Sequence, residues 1–76
     1  MSKRLPSLKP REVLTVLKRA GFFVHHVSGS HHVLKHPDHP TRRVTLPYHT
    51  RDLKRGTLTS IIEQAGLTTE EFVKML

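Results

Sequence analysis

The sequence predicts an α+β domain: a helix, a three-stranded antiparallel sheet, a second helix and a short C-terminal helix. Three observations carry this. Apolar residues recur at helical spacing in two separated stretches, one around Leu17 and one around Ile61. Between them lie three short runs rich in β-branched and apolar residues, divided by segments bearing Gly, Ser and Pro. Three strands with such short connections form an antiparallel meander.

The elements follow in order. Residues 1–7 are short and polar and are expected to be loose. Pro10 suits the first turn of a helix, and Val13, Leu14, Leu17 and Ala20 make its apolar stripe. Gly21 is placed to end that helix, and Lys18 and Arg19 in its last turn complement the helix dipole. Phe22 to Val27 reads as the first strand, Ser28-Gly29-Ser30 as a turn, and His31 to Lys35 as the second strand. Two prolines in four residues predict that the whole of His36 to Pro40 is a turn. Arg42 to Leu46 is the third strand, stopped by Pro47. Tyr48 to Gly56 is a basic, polar loop. Leu58, Ile61, Ile62 and Ala65 fall at i, i+3, i+4 and i+7 of a second helix that Gly66 ends. Thr68 and Glu71 have the spacing of a capping box for a third, short helix, with Leu67 and Phe72 at the staple positions. Helices on one face of the sheet leave the other face open to a ligand.

The chain has 76 residues, 13 Lys and Arg against six Asp and Glu, and a net charge of +7. One domain covering residues 1–76 is expected, too small for a two-lobed enzyme with a deep cleft. There is no Cys, hence no disulfide, no thiolate-bound zinc and no thiol nucleophile, and a cytoplasmic location is expected. No apolar run approaches the ~20 residues of a membrane span, and no apolar stretch follows the basic start as a signal peptide requires. The charge predicts a polyanionic partner.

The chemistry-bearing residues are the histidines. His25-His26 and His31-His32 flank the Ser28-Gly29-Ser30 turn on adjoining strands, and alternation is expected to turn one His of each pair to the open face. A neutral imidazole takes a proton from a ribose 2′-hydroxyl, and an imidazolium gives one to a leaving 5′-oxygen, so such a cluster has the chemistry to cut RNA without a metal. The same residues also read as solvated strand positions. As metal ligands they lack a His-x-x-x-His pair and any Cys, so no metal site is assigned, Asp38 with His36 and His39 included. Gly29 and Ser30 offer a tight turn whose amides can hold a phosphate oxygen. Lys35, Arg42, Arg43, Arg51, Lys54 and Arg55 form a candidate track for an RNA backbone, with Gly56-Thr57 at a helix N-terminus. Tyr48 is read as packing rather than as a base-stacking platform.

An ordered set of residues then carries a resemblance. Gly21-Phe22, Gly29-Ser30-His31-His32, Arg43-Val44-Thr45-Leu46-Pro47 with His49, Leu53-Lys54-Arg55-Gly56-Thr57-Leu58 with Ile61, and Gln64-Ala65-Gly66-Leu67 with Glu71-Phe72 together resemble the HicA (YcfA-like) toxin family over residues 9–76. The resemblance implies a double-stranded-RNA-binding-domain-like fold. It also implies the activity of a ribosome-independent mRNA interferase, the toxin of a bacterial toxin–antitoxin pair. The implied partners are mRNA and a HicB-type antitoxin that covers the active site. No membrane and no cofactor are implied. The family's catalytic His maps to His31, with His32 the alternative in the doublet. Ser28 stands where the family pattern has Lys, and His25-His26 has no family role. A non-catalytic RNA-binding module and a protein whose basic face meets only an acidic partner are the rival readings.

Overall fold

The computed structural model describes residues 5–76. It contains α1 (Pro10–Arg19), β1 (Phe23–Ser28), β2 (His31–His36), β3 (His39–Pro47), α2 (Arg55–Gln64) and α3 (Thr69–Lys74). The sheet is antiparallel with spatial order β1-β2-β3. This is the α-β-β-β-α-α order expected, with helices packed over one sheet face.

Lys9 is the N-cap of α1, and its backbone N–H donates to the Glu12 carboxylate at 2.9 Å. Its stripe is rotated slightly from the expected one: Val16 is fully buried beside Val13 and Leu17, and Leu14 is only half-buried. Gly21 has φ +97° and follows the helix end, where a Cβ would stand 2.5 Å from His36 Nε2. The backbone there needs both the left-handed conformation and the absence of a side chain.

Two hairpins build the sheet. Ser28 pairs with His31, so the first turn is only Gly29-Ser30. Gly29 has φ +58° and Ser30 is not in the left-handed region, the pattern of a type II′ turn, which matches the strand twist. The second turn is shorter than expected. His36 pairs with His39, leaving Pro37-Asp38 as the turn, and His39 and Pro40 belong to β3. Proline is tolerated there because β3 is an edge strand, and the register irregularity between Lys35 and His36 lies beside the turn.

The core sits between sheet and helices. Leu34, Val44 and Leu46 meet Val13, Val16 and Leu17 of α1, Leu58, Ile61, Ile62 and Ala65 of α2, and Phe72 of α3. Burying each large side chain contributes about 1.5–3 kcal/mol. Because Leu58 must reach this core, its N–H bonds to the Lys54 carbonyl at 2.9 Å and α2 begins at Arg55. The loop expected to run to Gly56 therefore ends at Lys54. The Thr68–Glu71 capping box forms as predicted: Thr68 N–H donates to Glu71 Oε1 at 2.8 Å and Glu71 N–H donates to Thr68 Oγ1 at 3.1 Å. Of the segment expected to be loose, residues 1–4 lie outside the described residues, and Leu5 packs half-buried against the core.

Candidate active site

Residues paired across strands share a face, so the pairings sort the functional side chains. Leu34, Val44 and Leu46 face the helices. The open face therefore carries Phe23, Lys35 and Arg43 in one row, His26, Val33 and Thr45 in the next, and Ser28, His31 and Pro47 in the last. Val33 is only 4% exposed although it lies outside the helix-side core, which makes it the closed centre of this face.

The doublet His31-His32 splits as alternation predicts. His31 is exposed on the open face, directly after the Gly29-Ser30 turn. His32 points the other way, half-buried, and stacks on Tyr48 with ring centroids 4.2 Å apart and an interplanar angle of 21°. Its Nδ1 is buried without a hydrogen-bond partner. The doublet His25-His26 does not split. A bulge between Val24 and His26 places an extra residue opposite Val33. The two imidazoles meet with Nδ1···Nδ1 at 2.8 Å, and the charges that act on His25 are those of the open-face Lys35 and Arg43. Lys35 foremost, then slight desolvation, His26 and Arg43, push the His25 pKa below its ordinary value.

The Gly29-Ser30 turn is tied to the loop after β3, since Tyr48 N–H donates to the Ser30 carbonyl at 2.7 Å. That loop is anchored by Leu53 N–H, which donates to the Leu8 carbonyl at 2.8 Å. It lines a groove of about 620 Å³ with Pro47, His49, Arg51, Lys54 and Thr57 among its walls. Arg51 N–H donates to His49 Nδ1 at 3.2 Å, which leaves Nε2 of the neutral ring to carry the hydrogen. A second hollow of about 260 Å³ is formed by Lys9, Arg11, Tyr48, His49 and Thr50. Alternation within one strand places His31, and the turn and loop bring Gly29, Ser30, Arg51 and Lys54 to the same end of the sheet.

The predicted cations divide into separate groups. Lys35 and Arg43 are register partners on the open face. Arg51 and Lys54 line the groove, and Arg55, the first residue of α2, lines a smaller hollow with Leu5, Pro6 and Ser7 instead. Arg42 is on the helix side, its guanidinium against Gly66 where a Cβ would stand 2.7 Å from Cζ. The apolar pattern already held this signal, because Arg42 shares alternation with Val44 and Leu46. His49, which the sequence marks only within the family resemblance, lines both hollows. The position of His49 two residues after a strand-ending Pro was the available clue.

No group of three or more His, Asp or Glu positioned to hold a metal is found among the described residues. No helix among them is long and apolar enough to cross a membrane.

A sheet with helices on one face, and histidines and cations on the other, defines a small α+β protein with a basic, open sheet face. Residues 10–67, well over half of the chain, match the family described as HicA toxin of bacterial toxin-antitoxin. The chain belongs to the HicA toxin family, so it is a toxin of the kind that a cognate antitoxin restrains. A comparison with curated proteins returns no match.

Proposed function

We propose that this toxin is a ribosome-independent endoribonuclease that cuts mRNA by proton transfer, with His31 as the histidine that reacts and a HicB-type antitoxin as its inhibitor. The observation that carries the reading is the placement of His31. It is exposed at the end of the open face, directly after the Gly29-Ser30 turn. His32, stacked on Tyr48 with Nδ1 buried, is better suited to holding the loop than to exchanging protons with a substrate.

In the proposed reaction the RNA backbone lies along the basic surface. Arg51 and Lys54 hold its phosphates from the groove, Lys35 and Arg43 from the open face, and the Gly29-Ser30 turn receives a phosphate oxygen. Neutral His31 removes the proton from a 2′-hydroxyl. The 2′-oxygen attacks phosphorus, the bond to the 5′-oxygen breaks, and a protonated imidazole of the chain gives that oxygen its proton. The products are a 2′,3′-cyclic phosphate and a 5′-hydroxyl. Every step is carried by side chains of this chain, in the cytoplasm where mRNA is found, without a metal or cofactor.

The test is induction of the wild type, His31→Ala and His32→Ala in cells, with growth and mRNA integrity followed. The expected result is growth arrest and cleaved mRNA for the wild type, neither for His31→Ala, and residual cleavage for His32→Ala. Purified protein is expected to cut RNA unchanged in EDTA. Cleavage by His31→Ala at the wild-type rate overturns the assignment. RNA binding without cleavage by the wild type at any dose makes the chain a binding module instead.

A further inference from the structure

Cleavage of a phosphodiester by the proposed route needs two proton-transfer groups, one to take the 2′ proton and one to protonate the 5′-oxygen. His31 accounts for one. From the strand register and the His25–His26 contact, we infer that His26 is the second catalytic group, the general acid, and that His25 is its positioning residue. This inference rests on the endoribonuclease reading above.

Two observations carry it. The first is the register. His26 pairs with Val33 and Ser28 pairs with His31, so His26 and His31 are diagonal neighbours on the open face, on either side of the closed Val33 centre. Diagonal side chains of this kind are about 7 Å apart. One phosphodiester fits between two such rings, within the roughly 2.6–3.2 Å reach of each. Both imidazoles are exposed, so a single-stranded substrate reaches them without an opening step.

The second is the bulge. Without it, His25 would point away from His26. With it, the two Nδ1 atoms meet at 2.8 Å. A contact between two ring nitrogens requires one to donate and the other to accept. The groups that face this pair are His31 and Lys35 on β2 and Arg43 on β3, and the two permanent charges among them act most directly on His25. They disfavour the charged form of His25, which leaves its ring the acceptor toward a protonated His26. The shared proton then belongs to His26, whose Nδ1–H donates to His25 while Nε2 remains free. When His26 is protonated, its Nδ1–H still donates to His25 Nδ1 and its Nε2–H points to a substrate oxygen. His25 thus does for His26 what an orienting partner does for any catalytic imidazole: it sets the tautomer and the direction in which the ring points.

The proton balance closes over a turnover. His31 gains the proton of the 2′-hydroxyl as the bond from O2′ to phosphorus forms. His26 gives its Nε2 proton to O5′ as the bond from phosphorus to O5′ breaks. Exchange with solvent returns His26 to the protonated form and His31 to the neutral form.

The experiment compares an all-RNA substrate with one in which sulfur replaces the 5′-oxygen at the cleavage position, a leaving group that needs no proton. Wild type, His26→Gln, His25→Ala and His31→Gln are assayed across pH, after thermal melts show that each folds. On ordinary RNA, His26→Gln is expected to lose roughly 10²–10⁴-fold in kcat. On the sulfur substrate it is expected to recover most of that loss and to lack the alkaline limb of the pH–rate profile, while His31→Gln recovers nothing. His25→Ala is expected to lower kcat on ordinary RNA with KM unchanged and to leave cleavage of the sulfur substrate near the wild-type rate, because His26 has lost the acceptor that fixes its Nδ1–H. Cleavage of ordinary RNA by His26→Gln within twofold of the wild type overturns the inference, as does a His26→Gln defect that sulfur does not rescue. An unchanged kcat on ordinary RNA for His25→Ala removes His25 from it. If the wild type cuts neither substrate, the endoribonuclease reading itself fails, a result distinct from an active wild type with an unaffected His26→Gln.

Discussion

The His32 imidazole lies flat on Tyr48 with its Nδ1 buried and unpartnered. A buried polar atom without a partner costs about 1–3 kcal/mol, whereas an apolar ring of similar shape does not carry that cost. His32→Phe is therefore expected to keep the stack and to raise stability by up to about 1 kcal/mol in urea titration, with RNA cleavage retained. Loss of cleavage in a stably folded His32→Phe would return catalysis to His32. Gly21 gives the opposite case. Its φ of +97° and the 2.5 Å approach of His36 Nε2 to a Cβ position make Gly21→Ala a strained change. The left-handed conformation alone costs about 1–2 kcal/mol for a residue with a Cβ. A Tm lower than that of the wild type by several degrees is the expected outcome. His31 was legible in the sequence as a residue type beside a Gly turn. Its separation from His32 follows from strand alternation once Leu34 is known to face the core.

At the scale of the element, α3 depends on its first turn. The Thr68–Glu71 box satisfies amides that the short helix leaves free, and it holds Phe72, fully buried, over the core. Thr68→Ala is expected to cost about 1 kcal/mol, within the 0.5–2 kcal/mol range of such caps, read by urea titration. The Thr68 backbone N–H foremost, then its hydroxyl, holds the Glu71 pKa below the ordinary carboxylate value. A carboxylate with a lowered folded-state pKa contributes stability that is present above its unfolded-state value near 4.5 and is lost as pH falls through the lower folded-state value. Thermal melts of Glu71→Gln are thus expected to fall less steeply than those of the wild type below pH 4.5. This element was fully legible, because a capping box and a staple are local patterns. The second hairpin was less so. Pro40 suggested a break, but at an edge strand a proline costs no ladder bond, and edge position is a property of the assembled sheet.

For the whole molecule, net charge matters less than where each charge stands. Thirteen Lys and Arg give one basic chain, yet Lys35 and Arg43 lie on the open face, Arg51 and Lys54 in the groove, and Arg42 against Gly66 on the helix side. Salt titration of binding to non-cleavable single-stranded RNA separates these groups. Removing a phosphate contact lowers the slope of log K against log salt by about 0.7 for a single strand. Arg51→Ala and Lys54→Ala are each expected to lower it by about that amount. Arg42→Ala is expected to leave the slope unchanged and to lower Tm instead. An equal loss of slope for Arg42→Ala would put that guanidinium on the RNA path.

The sequence by itself determined the element order, the two helical stripes, the cap of α3, the Gly turn and the family, because each is written in residues close along the chain. Tertiary structure decided which side chains stand together. Alternation assigns each strand residue to one of two faces, but only pairing with Leu34, Val44 and Leu46 says which face meets the core. The bulge that turns both His25 and His26 to the open side has no local signature, since it arises from how β1 must pair with β2. The proposed proton transfer depends on that placement, so the histidines were visible in the sequence and the His25–His26 contact only in the fold.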